Sequence, residues 1–252
     1  MAKQCIMRQL ITILSAGMLL TGVCYGQTRP VDHFHKVIVS PYIEVTFVQG
    51  DEESVTINHS IVDSNKLHVE VRGGTLRLYL DGAKDLPHNQ QDYERDGNWQ
   101  GHPLYPKHAI VATVVYKKLD ALSLRGEENF LVRSPLLARK FRLREYGETT
   151  VILTEAHINK MHGTLYGECS VDIKAGVVNR QNFTCYGEGK INTTAITGQK
   201  AKVTTFGEAE FRVNVSDLIK ITAFGDAKVC YRGNPEIVKG IHFGGVDVQK
   251  LD

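Results

Sequence analysis

Leu165-Tyr166-Gly167-Glu168-Cys169-Ser170-Val171-Asp172-Ile173 is followed, twenty residues on, by Cys185-Tyr186-Gly187-Glu188-Gly189-Lys190-Ile191-Asn192-Thr193, and the two align without a gap. The central phrase recurs as Tyr146-Gly147-Glu148, Phe206-Gly207-Glu208, Phe224-Gly225-Asp226 and Phe243-Gly244-Gly245, with a degenerate copy at Arg125-Gly126-Glu127. The seven glycines lie 21, 20, 20, 20, 18 and 19 residues apart. Self-similarity at such a period marks a repeat architecture in which each unit stacks on its neighbours.

Working outward from each glycine, the residue four later is Phe130, Val151, Val171, Ile191, Phe211, Val229 or Val248. Two further on come Val132, Leu153, Ile173, Thr193, Val213 and Tyr231, and before the glycines Phe141, Leu143, Met161, Leu165, Phe183, Cys185, Ile219 and Ile221 keep the same parity. Each unit thus carries two short strands with one apolar face. So small a unit cannot bury that face alone, whereas stacked coils pair each strand with its counterparts and line equivalent side chains up inside. The leucine and asparagine spacing of a leucine-rich repeat is missing, and no odd-even alternation marks propeller blades. The fold expected is all-β: a β-solenoid, parallel β-helix-like, of about seven ~20-residue coils, preceded by an N-terminal β-module with hairpins. At roughly 4.8 Å per coil such a stack is about 34 Å long. Gly126, Gly147, Gly167, Gly187, Gly207, Gly225 and Gly244 are expected at corners that need positive φ or close approach between coils.

Upstream, Val37 and Val39, Ile43, Val45 and Phe47, and Val55 and Ile57 alternate as half-buried strands do. Gln49 to Glu52 reads as a turn, and Gly73-Gly74 between two alternating runs reads as a hairpin. Residues 86–107 are polar, carry Pro87, Pro103 and Pro106, and hold Tyr93, Trp99 and Tyr105. A stretch this long without periodicity is a surface insertion or a contact loop, and its aromatic residues are of the kind enriched where partners bind. The divisions expected are a leader over 1–26, a β-module over 27–124 and glycine-marked repeats over 125–252, the last two forming one domain.

The leader reading rests on Lys3 and Arg8, an apolar run from Leu10 to Leu20 too short to span a bilayer, and cleavage before Gln27, which removes 26 of 252 residues and leaves 226. Acylation at Cys24 is the alternative, but Thr21-Gly22-Val23 is a poor approach sequence for it. Removal takes two of 30 basic residues and none of 28 acidic ones, so 28 of each sign remain. A neutral chain argues against a nucleic-acid partner, and no long apolar stretch past the leader suggests a membrane span. Cys169, Cys185 and Cys230 then remain, an odd number. A straight strand would set Cys169 and Cys185 about 14 Å apart, beyond disulfide reach, so free thiols are expected unless the glycine makes a sharp corner.

Each glycine is flanked by an aromatic residue (Tyr146, Tyr166, Tyr186, Phe206, Phe224) and an acid (Glu127, Glu148, Glu168, Glu188, Glu208, Asp226) of the same parity. A strand that continues through the glycine would hold both ladders outside, whereas a turn there would stack the rings inside. Stacked rings bury large area, and the interior ladder is the expectation. Carboxylates repeating about every 4.8 Å repel, which raises proton affinity or recruits a hard cation such as calcium; Lys174, Lys190 and Lys228 could offset the repulsion instead. A glycosidase needs two acids in contrasting surroundings, which a uniform ladder does not supply. His33 and His35 share a strand face but lack a third metal ligand. No catalytic residue, metal site or cofactor is assigned.

The segments Phe34-His35-Lys36-Val37-Ile38-Val39, Ile43-Glu44-Val45-Thr46-Phe47-Val48-Gln49-Gly50-Asp51, Leu67-His68-Val69-Glu70-Val71-Arg72-Gly73-Gly74 and, most specifically, Tyr231-Arg232-Gly233-Asn234-Pro235 resemble the bacterial "putative auto-transporter adhesin, head GIN domain" family over about Val31 to Asp252. The resemblance implies an exported all-β protein of the Gram-negative envelope (periplasmic, outer-membrane-associated or extracellular), with β-helix-like stacking and no catalytic residues to carry over. Family members often place a small residue beside the repeat glycine, where this chain has an aromatic and an acid. The function expected is an adhesin-like binding or structural module that meets an envelope protein or polysaccharide and self-associates through exposed end coils. A polysaccharide lyase or glycosidase on a parallel β-helix is the alternative.

Overall fold

The computed structural model describes residues 26–84, 90–93 and 99–252; the expected leader and the centre of the polar insertion lie outside the described residues. Among the described residues, apart from one 3-10 turn at Ser64–Lys66, every regular element is a strand. In chain order they are β1 (Gln27–Pro30), β2 (Lys36–Val39), β3 (Ile43–Gln49), β4 (Ser54–Ser60), β5 (Leu67–Arg72), β6 (Thr75–Leu80), β7 (Gln90–Tyr93), β8 (Trp99–His102), β9 (Ile110–Tyr116) and β10 (Ala121–Gly126). The repeats supply β11 (Asn129–Val132), β12 (Leu136–Gly147), β13 (Thr150–Leu153), β14 (Ala156–Ile173), β15 (Gly176–Thr193), β16 (Lys200–Asn214), β17 (Leu218–Arg232), β18 (Glu236–Phe243) and β19 (Val246–Lys250).

Successive repeats pair in parallel, coil upon coil, as a β-solenoid of about six turns. Seven glycines delimit six intervals, hence one turn fewer than copies of the phrase. The glycines are themselves aligned, Gly126 on Gly147, then Gly167, Gly187, Gly207 and Gly225. In β14 to β17 the pairing runs unbroken through the glycine, so the two short strands expected per unit are one long bent strand.

The interior is a set of columns. Val45, Phe130, Val151, Val171, Ile191, Phe211, Val229 and Val248 are partners in successive coils, and from Val45 to Val229 each is buried. Full burial of such a side chain contributes about 1.5–3 kcal/mol, so the column is a principal source of stability. Packing between columns is close: Gly163 leaves the space that the Phe183 ring fills, and a Cβ there would fall 2.4 Å from that ring.

At the other end the chain threads between its own later strands. β2 and β3 lie in parallel on β10 and β11, and β6 and β9 lie in turn on β2 and β3. Beyond them the pairing becomes antiparallel, with β5 on β6, β4 on β9 and β1 on β4. The Gly73-Gly74 hairpin is present, with φ of 55° and 68° at its two glycines, the backbone that a two-residue turn demands. The turn at Gln49 to Glu52 joins strands that do not pair with each other, because β9 lies between β3 and β4.

Candidate functional site

Each repeat glycine occupies a backbone conformation closed to other residues. At Gly147, Gly167 and Gly187 φ is 106°, 105° and 108°, and a Cβ on Gly167 would lie 2.3 Å from the carbonyl oxygen of Gly147. Both sequence-level reasons for glycine, positive φ and close approach between coils, therefore hold together. The geometry also fixes which way the chain bends. A Cβ on Gly189 would sit 3.2 Å from the Cβ of Cys185, so the inward positions flanking the glycine converge and the outward ones diverge.

The aromatic ladder is consequently external, against the expectation of an interior stack. Tyr166, Tyr186, Phe206 and Phe224 are 37–39% exposed. From Tyr146 to Phe224 neighbouring rings are 4.8–4.9 Å apart and within 5° of parallel; Phe224 to Phe243 is looser, at 5.7 Å and 28°. The ring spacing is that of the strands beneath. The Arg125 guanidinium covers the far face of Tyr146 at 5.6 Å, and Phe243 is 69% exposed at the opposite end. Within the ladder each ring face is taken by a neighbour, so what solvent meets is a row of ring edges and the tyrosine hydroxyls.

Beyond the bend, Glu148, Glu168, Glu188, Glu208 and Asp226 are all exposed. A shallow channel of about 860 Å³ runs along Glu168, Glu188, Glu208 and Asp226, floored by Cys169, Gly189, Ala209 and Ala227. Its second wall is mixed in charge: Ser170, Lys190, Glu210, Lys228 and Asp247. Lys190 and Lys228 thus stand in the channel, whereas Lys174 turns to Asp172. Among the described residues no three acidic, histidine or cysteine side chains converge as a metal-ligand set. Glu168, Glu188 and Glu208 follow one another in register, and all three are exposed. Glu127 stands apart, in a 2.6 Å ion pair with Lys107; its carboxylate holds that ammonium above its ordinary range.

Of the aromatic residues of the insertion, Tyr105 does not belong to an exposed contact surface. β7 and β8 pair as a small antiparallel hairpin with Tyr93 opposite Trp99, ordered structure where the sequence shows no periodicity. Tyr105 is a core residue, 8% exposed, edge-on to Tyr42 at 5.6 Å, with its hydroxyl donating to the Asp81 carbonyl at 3.0 Å. His33 pairs with Glu53 at 2.9 Å, while His35 packs over Gly74, so the two histidines do not converge.

One chemically distinctive group lies inside the solenoid. Glu145 is fully buried and accepts a 2.7 Å hydrogen bond from Thr149; its other oxygen has no partner among the described residues. Burial pushes its carboxyl up to about 8, so it is neutral at pH 7. Beside it burial raises Cys169 to about 11 and Cys185 to about 12. With Cys230, these are buried free thiols. The sequence signal for Glu145 was an acid at the inward parity, between Leu124 and Leu165 in its column.

Fold and surface define a β-solenoid whose repeated side chains form continuous outer ladders. The chain belongs to the family described as "Putative auto-transporter adhesin, head GIN domain", whose profile matches residues 33–235. Among solved structures, it is similar to a putative adhesin from Bacteroides fragilis with a TM-score of 0.72 and 15% identity, covering 89% of this chain and 95% of that one. A putative adhesin from Parabacteroides merdae gives 0.64 and 14%, covering 90% and 95%. A protein from Parabacteroides distasonis titled as a putative lipid binding protein gives 0.60 and 20%, covering 92% and 98%. At these identities the likeness establishes the fold. No curated protein matches the chain, and no helix among the described residues is long and apolar enough to cross a membrane.

Proposed function

We propose that the chain is an exported, adhesin-like binding module of the cell envelope, which meets a protein or polysaccharide through the outer ladder of Tyr146, Tyr166, Tyr186, Phe206 and Phe224 and the acids beside it. The observation that carries the reading is the outward stacking of these rings, of which Tyr166, Tyr186, Phe206 and Phe224 are about two-fifths exposed. A regular row of exposed aromatic edges and hydroxyls is costly to leave facing water and suited to an extended partner. The equivalence of the acids favours recognition over catalysis, because catalysis requires unequal pairs. A glycan array run with a turnover assay tests the reading. Binding without product, weakened at least tenfold by Tyr166→Ala with Tyr186→Ala, is expected; released oligosaccharide would overturn it.

A further inference from the structure

The strand that precedes each glycine presents a second outer surface, not apparent from the repeated phrase. With Phe141, Leu143 and Glu145 inward, Lys140, Arg142, Arg144 and Tyr146 face out, and the same parity holds in each following coil. Pairing then aligns Lys140, Lys160, Arg180 and Lys200 in one row. A second row is Arg142, His162, Asn182, Lys202 and Lys220. A third is Arg144 followed by Thr164, Thr184, Thr204 and Thr222, and the aromatic ladder closes the face.

No acid occupies the first three rows from β12 to β17. Among the described residues none of these cations has an ion-pair partner. Like charges held about 4.8 Å apart without counter-charges raise the local potential and gather anions. The field is felt at His162: burial, then the charges of Lys160, Arg142 and Lys140, hold its imidazole below the ordinary range. The acids lie round the bend, so a near-neutral chain is divided into a positive face and a negative channel.

We infer that this face binds a linear anionic polysaccharide lying along the solenoid axis, its carboxylates or sulfates on the two cationic rows and its hydroxyls on the threonine row. The inference rests on the reading of the chain as a binding module and names a partner class on a different surface. A pyranose chain advances per sugar by close to one coil spacing, so each coil meets one sugar with its own members of the three rows. A bilayer surface fits less well: the most exposed apolar residues, Ile241 and Phe243, lie at the end of the face where the first row has passed from lysine to Leu218 and then Glu236, beyond the cations of that row, and Leu137 and Val177, on the strands of the first row, are separated by His157.

The test uses the full mature chain with polygalacturonate, dextran sulfate and neutral dextran, measured by calorimetry at 50 and 200 mM NaCl, with phosphatidylglycerol vesicles and single-stranded DNA in parallel. Polygalacturonate or dextran sulfate should bind, which of the two identifying the anion, while neutral dextran should not. Affinity should fall at least tenfold over that salt range, as expected when several counterions are released. Arg180→Glu with Lys202→Glu should abolish binding, Thr184→Val with Thr204→Val should weaken it with the salt dependence unchanged, and Glu188→Gln with Glu208→Gln should preserve it. Circular dichroism of these surface variants should match the parent. No polyanion binding, binding indifferent to the charge reversals, or equal affinity for vesicles or DNA would overturn the inference. Loss of polyanion binding in the cation variants with glycan-array binding intact would separate this face from the aromatic ladder; glycan-array binding undiminished in Tyr166→Ala with Tyr186→Ala, beside intact polyanion binding, would count against the ladder alone.

Discussion

Gly167 and Glu145 show how differently two residues of neighbouring coils can be constrained. An alanine at 167 would hold φ near 105° and place its Cβ against the Gly147 carbonyl, a strain on the order of 3 kcal/mol. Gly167→Ala should therefore lower the melting temperature by roughly 6–12 °C; an unchanged melting curve would contradict the corner geometry. This role was legible, because a glycine recurring at one phase of every repeat implies a backbone reason. Glu145 was legible only as an anomaly, since nothing in the pattern says whether an acid at inward parity has a charged partner. It has none: its carboxyl is raised to about 8 by burial, while in the unfolded chain it titrates near 4.3. Between those values the unfolded state binds fewer protons, so Glu145 makes stability fall as pH rises from about 4.3 to about 8, with no further loss above. The cost at pH 7 is on the order of 3 kcal/mol. Glu145→Leu, which continues the leucines above and below it, should raise the melting temperature at pH 7 and flatten that slope. A variant less stable than the parent at pH 7 would show that the carboxylate has a stabilising partner.

The bent strand is where sequence and structure part. Period, inward columns and the Gly73-Gly74 hairpin could all be read from alternation and turn chemistry. The orientation of the rings could not, because residues on either side of a glycine keep the same parity whichever way the chain bends there. The convergence of Cys185 and Gly189 decides it, and the area argument for an interior stack gives way because Phe211, Val229 and their column mates already fill the core. Tyr105 was misread for a related reason: its polar, proline-rich surroundings concealed a ring buried against Tyr42. Two phenylalanines of β16 test the assignment. Phe211→Ala, at full burial, should cost about 3–5 kcal/mol, whereas Phe206→Ala should cost about 1 kcal/mol, the worth of lost ring stacking. Equal losses in denaturant unfolding would contradict an external ladder.

The solenoid has differently charged sides, and composition conceals this because 30 basic and 28 acidic residues nearly cancel. Neutrality argued against a nucleic-acid partner but says nothing of where charge is placed: the solenoid sorts charge by position within the repeat, which a sum over the chain discards. The threading of β2 and β3 between β10–β11 and β6–β9 was equally hidden, since it depends on pairings between segments some 80 residues apart and no local pattern specifies them. Everything proposed for the surfaces depends on equivalent residues standing directly above one another with the ring positions outside. Pyrene maleimide on Tyr166→Cys/Tyr186→Cys, in the chain from Gln27 onward so that Cys5 and Cys24 are left out, probes both conditions at once, because Cys169, Cys185 and Cys230 are buried and only outward cysteines should react in the folded chain. Both sites should label and give excimer emission, as expected for positions about 4.8 Å apart, while a Tyr146→Cys/Phe224→Cys pair, four coils apart, should give monomer emission only. Failure to label before unfolding, or labelling of both sites without excimer emission, would contradict the account.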